Sequence, residues 1–113
     1  MFTTHAPSLH RFDAYRLALA FRQHVVRWLP LRRAELSDQL DRASISAPLN
    51  IAEGAGMSTP RARARHYTIA RGSAVECLAC LDLLDLELSA PSTAEARAIL
   101  IRLLDVLTAL IRR

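Results

Sequence analysis

Between Leu36 and Ala52 the apolar positions fall on two opposed faces of one helix. At about 100° per residue, Leu36, Leu40, Ala43, Ala47 and Ile51 share a stripe, while Ile45, Leu49 and Ala52 lie nearly opposite. A polar line of Gln39, Arg42, Ser46, Asn50 and Glu53 runs between them. A helix apolar on two sides is expected to be buried twice, by its own bundle and by a second body.

The flanking segments carry single stripes. A first helix is predicted from about Arg11 to Leu29, its inner face Phe12, Tyr15, Leu19, Val26 and Leu29 flanked by Ala18 and Val25, with Pro30 as its stop. The two-faced helix then runs from Leu31 or Arg32 to about Ala55. Pro48 lies inside it, where it removes one hydrogen bond and crowds the carbonyl of Ser44, at a cost of roughly 3 kcal/mol and with a kink expected. Ser44 and Ser46 offer hydroxyls to the disturbed backbone, and Gly54 and Gly56 are read as the C-terminal stop.

Ser58-Thr59-Pro60 opens a third helix, a hydroxyl cap followed by proline at the first helical position. It is predicted to reach about Leu88, with Tyr67, Ala70, Ser73 or Ala74, Cys77, Leu81 and Leu84 inward. Ala70, Gly72, Ser73 and Ala74 are small enough to let it approach Ala43 and Ala47 closely. After a break at Ser89-Ala90-Pro91-Ser92, a fourth helix from Thr93 to Ile111 carries Ala96, Leu100, Leu103, Leu107 and Leu110, widened by Ile99 and Val106. Four helices on short loops predict an all-α fold, an antiparallel up-and-down four-helix bundle. It forms one domain over residues 1–113, with residues 1–10 a loosely held arm.

Composition strengthens the expectation of a second buried face: 51% of residues are hydrophobic, high for a small lone subunit. No apolar run approaches the ~18 residues of a membrane span, and the N-terminus lacks the form of a signal peptide. A cytoplasmic location with reduced cysteines is expected, and no membrane partner. All fifteen basic residues are arginine; eleven stand against five acids in residues 1–75, and four against six in residues 76–113. The basic half suggests a polyanionic partner.

The run from Leu40 to Gly56, L-D-R-A-S-I-S-A-P-L-N-I-A-E-G-A-G, followed by Ile69-Ala70-Arg71-Gly72-Ser73 and Glu76, resembles a known family. It is similar to the four-helix-bundle proteins encoded within intervening sequences of bacterial large-subunit ribosomal RNA genes. The accessory variability protein of diversity-generating retroelements is a more distant relative of the same shape. The resemblance implies an antiparallel bundle assembling into a homo-oligomer, with a pentameric ring the expected arrangement, and a basic surface meeting RNA or DNA. It implies no enzymatic activity. The chain departs from the retroelement proteins in its net acidic second half.

Ser46, Asn50, Glu53, Arg71, Ser73 and Glu76 form a polar signature, with Arg71 in reach of Glu53 if the second and third helices lie antiparallel. Such a network fixes helix register and subunit orientation more than it adds net stability; the alternative is a site for a small polar ligand. Arg61, Arg63 and Arg65, with His66 and Tyr67, open the third helix, where positive charge opposes the macrodipole. With Arg16 and Arg22 (and Arg11) they are candidates for phosphate contact, and Tyr67 for base stacking; the alternative is a solvated basic face with Tyr67 in the core. Ile45, Leu49 and Ala52 are the candidate oligomer interface. Cys77-Leu78-Ala79-Cys80 lies mid-helix without a second cysteine pair, which argues for a buried apolar role. His5, His10, His24 and His66 show no metal-ligand spacing, and no nucleophile elbow or phosphate-binding glycine loop appears. Trp28 either covers the end of the bundle or meets a partner. No metal, cofactor or small-molecule substrate is expected. The leading reading is a non-enzymatic homo-oligomer that binds RNA or DNA; its rival is a protein-interaction scaffold with no nucleic-acid role.

Overall fold

The computed structural model describes Leu9, residues 12–87 and residues 90–113. The remainder of the expected arm, Arg11 at the expected start of the first helix, and Leu88 and Ser89 at the expected end of the third lie outside the described residues.

Four helices follow in order: α1 (Asp13–Trp28), α2 (Ala34–Ala55), α3 (Pro60–Leu84) and α4 (Ala94–Ile111). Each packs on its sequence neighbours and α4 returns to α1, with α2 and α3 the most extensively packed pair. This is the antiparallel four-helix bundle that the four apolar stripes predict. Leu40, Ile51, Leu81, Leu100, Leu103 and Leu107 are all but completely buried along its axis. Each such side chain contributes about 1.5–3 kcal/mol relative to exposure.

The stripe of α1 differs from the expected one. Ala14, Ala18, Phe21 and Val25 face the core, whereas Val26 is 56% exposed and Tyr15, Leu19 and Leu29 are only half-buried. Large side chains on the flank mimicked a centre line. The true centre holds two alanines with Phe21 and Val25. Asp13 in its first turn and Arg27 in its last both favour the macrodipole.

α2 begins at Ala34, later than expected, because Pro30 to Arg33 form a linker pinned by the Leu31 N–H donating to Ser37 Oγ at 3.0 Å. The helix runs uninterrupted through Pro48, which is buried. Ser44 donates its hydroxyl to the Asp41 carbonyl at 3.0 Å.

Two glycines depart from their expected roles. A Cβ on Gly54 would lie 2.5 Å from Cε1 of Tyr67, so Gly54 is a notch that lets α3 close on α2. It is the chain beyond Gly56 that leaves the helix, Gly56 itself capping through its N–H to the carbonyls of Ala52 and Glu53. Gly72 does not mediate close approach; a Cβ there meets nothing within 4 Å.

α3 starts as its sequence predicts: Thr59 Oγ1 accepts from the Ala62 N–H at 3.1 Å, and Pro60 occupies the first turn. Tyr67, Ala70, Ser73, Ala74, Cys77, Leu81 and Leu84 are all buried. The turn into α4 is locked by side chains. Thr93 donates to Asp85 Oδ1 at 2.5 Å, and Arg97 bridges Asp82 and Asp85, each at 2.9 Å.

Candidate nucleic-acid interface

The up-and-down order brings the start of α1, the end of α2, the start of α3 and the end of α4 to one end of the bundle. Phe12, Pro60, Arg63, Tyr67, Leu110 and Arg113 line a cleft of about 310 Å³ there. On the other side of α3, Met57, Thr59, Arg61, Ala62, Arg65 and His66 line a broader groove of about 660 Å³. Residues two positions apart in an α-helix are separated by about 200° around its axis, so the backbone position of Arg63 faces away from those of Arg61 and Arg65.

The half of the bundle nearest this end carries Arg16, Arg61, Arg63, Arg65, Arg71, Arg112 and Arg113 against Asp13, Glu53 and Asp105, among the described residues. The opposite half also carries seven arginines but eight acids. The charge asymmetry along the chain thus becomes a polarity along the bundle axis. Arg61 and Arg65 are exposed and have no acidic partner among the described residues. Arg63 donates from Nη1 to the Met57 carbonyl at 3.1 Å, which ties down the α2–α3 loop.

The five candidate phosphate contacts separate. Arg61 and Arg65 share the groove and Arg63 lies across α3 from them. Arg16 is exposed and paired with Asp13 three residues earlier. Arg22 is a correction: its Nη1 donates to Asp41 Oδ1 at 2.7 Å, the Asp41 carbonyl at 3.2 Å and Ser44 Oγ at 2.8 Å. It is a clamp between α1 and α2, committed internally because α2 presents a carboxylate and a hydroxyl one turn apart. Tyr67 is core, 5% exposed, its ring 6.1 Å from that of Phe12. Burial raises its pKa, with the nearby Arg63 pulling the other way. No face of that ring is free to stack on a base.

The polar signature is brought together only in part. Ser73 Oγ donates to Ser46 Oγ at 2.8 Å, and Asn50 Nδ2 donates to the carbonyl and hydroxyl of Ser46 at 3.0 and 3.2 Å. Glu53 meets His66 Nδ1 at 3.4 Å, and the same nitrogen lies 3.4 Å from Asn50 Oδ1. Glu76 accepts from Gln39, whose Oε1 accepts from Arg42 at 3.0 Å. Arg71 is a correction: it turns the other way, donating from Nε to Thr108 Oγ1 on α4 at 2.9 Å. Gln39, on the polar line of α2, and His66, grouped by sequence with the basic cluster, also belong to this network. Their signal was present, since both lie on the α2–α3 seam at heptad-like spacing from the residues named.

Ile45 and Leu49 are 39% and 58% exposed on the outer face of α2, while Ala52 is half-buried. The register set by Ser46–Ser73 and Asn50–His66 puts Leu49 level with Ile69 of α3, itself 44% exposed. Cys77 and Cys80 are both buried and unbridged. Burial first, then Cys80 and Glu76, pushes the Cys77 thiol up to about 12, so it stays protonated and unreactive near neutrality. Among the described residues no three His, Cys, Asp or Glu side chains gather in a metal-binding cluster, and no helix is long and apolar enough to cross a membrane. Trp28 lines the cavity at the opposite end, with Leu31, Leu36, Leu84 and Pro91.

The fold and its α2–α3 polar seam define a class: small antiparallel bundles whose second helix carries the N-I-A-E-G signature into a close contact with the third. The family model described as 23S rRNA-intervening sequence protein matches residues 10–109, and the chain belongs to that family. Comparison with curated proteins found no match.

Proposed function

We propose that this protein is a non-enzymatic nucleic-acid-binding bundle that acts as a homo-oligomer in the cytoplasm, with the basic end as its contact surface. The observation that carries the reading is the pair Arg61 and Arg65 at the start of α3, without an acidic partner among the described residues and in the less acidic half of the molecule, with Arg63 and Arg113 across α3 from them. Positive charge at a helix N-terminus is locally unfavourable, and a phosphate backbone supplies the counter-charge that the fold leaves out. Membership of a family named for ribosomal RNA intervening sequences is compatible with such a partner.

Oligomerisation multiplies the modest charge of one copy, +4, and lets weak contacts act together. Ile45, Leu49 and Ala52 are the surface we assign to contact between copies, with a pentameric ring the expected arrangement. Titration of binding to a structured RNA against salt tests the main claim. The logarithm of affinity should fall linearly with the logarithm of salt concentration; an affinity indifferent to salt defeats it. Sedimentation tests the assembly: the wild-type chain should run well above 12.6 kDa, and Leu49→Glu with Ile45→Glu should run as single subunits.

The exposed aliphatic face supports a second reading, a scaffold for another protein. In that case the Arg61→Ala, Arg63→Ala, Arg65→Ala triple variant keeps its partner. The nucleic-acid reading expects RNA retention to be lost while the oligomer persists.

A further inference from the structure

We infer that the cavity at the acid-rich end of the bundle binds a small aromatic monocarboxylate, its ring against Trp28 and its carboxylate on Arg32. The inference is independent of the nucleic-acid reading and concerns the opposite end of the molecule.

The cavity lies where the linker between α1 and α2 meets the turn between α3 and α4, and measures about 520 Å³. That falls within the ~300–1,000 Å³ range of small-molecule sites. Leu36 and Leu84 form its buried apolar floor. Trp28 is half-buried and lines the same space with Pro30 and Pro91. An indole and two proline rings present flat apolar faces, which suit an aromatic ring more than a branched chain. His24, one turn earlier on α1, packs against the indole with ring centroids 6.0 Å apart and helps hold it in place.

The charged residues of the cavity are gathered in one place. Arg32, Arg33 and Glu87 line it and also line a polar cleft of about 290 Å³ that continues from it. Arg33 Nε meets Glu87 Oε1 at 3.3 Å. Arg32 has no hydrogen bond or ion pair among the described residues. Two arginines against one glutamate leave a single positive charge in excess among the lining residues, which matches a monoanion. A guanidinium takes a carboxylate through two parallel N–H bonds. The acid group thus sits on Arg32 in the polar cleft while the ring fills the apolar space beside Trp28. A plain hydrocarbon would leave Arg32 unanswered, and a dianion would bring a second negative charge beside Glu87.

Trp28 is the only tryptophan of the chain, so its emission and its single indole N–H resonance report on this cavity alone. Both should respond saturably to 3-phenylpropionate. The neutral 3-phenylpropanamide should bind at least about tenfold more weakly, having lost the charged hydrogen bonds. Hexanoate, which keeps the carboxylate without a ring, should also bind more weakly. Arg32→Gln should lower the affinity for 3-phenylpropionate about tenfold and leave that for the amide unchanged, whereas Arg61→Gln at the basic end should alter neither. Ala90→Leu, which fills the cavity from the α3–α4 turn, should abolish both responses. Arg32 is exposed, so Arg32→Gln keeps its helical circular dichroism spectrum and carries the test even if Ala90→Leu does not fold. The inference is overturned by the absence of a saturable response in both readouts, by amide or hexanoate binding as tightly as 3-phenylpropionate, or by an equal loss from Arg61→Gln.

Discussion

Among the described residues the two ends of this bundle carry seven arginines each and differ in the acids that surround them. At the α3–α4 turn, Arg97 is held by Asp82 and Asp85, and Arg33 by Glu87 at 3.3 Å. At the α2–α3 turn, Arg61 and Arg65 stand without an acidic partner among the described residues, and Glu53 near the end of α2 meets His66 at 3.4 Å. Availability for an outside anion is thus set by the acids that surround an arginine more than by the arginine count. Among the described residues the basic half carries +4 and the other half −1, so the chain-wide charge of +4 hides where the charge sits.

The largest effect should come from breaking that contrast directly. Arg61→Ala with Arg65→Ala removes the two phosphate contacts proposed above. Affinity for nucleic acid is expected to fall about a hundredfold at low salt, and the salt slope by about 2. Arg27→Ala with Arg32→Ala removes two partnerless arginines from the acid-rich half and should change affinity less than about twofold. Equal losses from both pairs would show that position along the axis is irrelevant.

A second contrast lies under the basic end. Gly54→Ala places a methyl 2.5 Å from the ring of Tyr67, which is itself buried. Overpacking of this kind costs about 1–3 kcal/mol, a loss readable as a fall of several degrees or more in Tm. Combining it with Tyr67→Leu should recover part of the loss, since the steric conflict needs both groups. Full additivity of the two would place the strain elsewhere.

These residues also show what was legible beforehand. Helix number, three of four core stripes and the Thr59-Pro60 start were carried by periodicity and capping chemistry, which are local. The stripe of α1 differs from the expected one because Ala14 and Ala18, at its buried centre, carry little hydrophobic signal of their own. Arg22 and Arg71 were misassigned because a guanidinium reaches across to a neighbouring helix. Its partner, Asp41 or Thr108, is set by register that only the packed bundle fixes. The notch at Gly54 was invisible for the same reason: a glycine near a helix end reads as a stop until the opposing ring is in place.

Gly72 sharpens the point with a smaller effect of opposite sign. It is exposed in the middle of α3 with nothing within 4 Å of an added Cβ. Gly72→Ala should raise stability by about 0.5–1 kcal/mol through helix propensity alone, measured as a higher urea midpoint. A destabilised variant would mean that the bare surface is covered in the assembled protein, where a methyl has no space.

The smallest effect belongs to the paired end and is one of pH. The hydrogen bond from Thr93 first, and then Arg97, holds the Asp85 carboxyl below its ordinary 3.8. A carboxylate whose pKa is lower in the folded than in the unfolded chain contributes stability that is present above the unfolded value. That contribution is lost as pH falls through the folded one. Urea midpoints should therefore be flat in this respect above about pH 5 and decline below pH 4, and Asp85→Asn should be less stable near neutrality while losing part of that acid decline. Because Asp85 is open to solvent, high salt should shrink the difference between variant and wild type. Arg61 and Arg65 have no carboxylate partner among the described residues, so Arg61→Ala with Arg65→Ala should leave the acid limb unchanged. A shift in that limb would mean that an acid holds those guanidinium groups after all, and the contrast between the two ends would go with it.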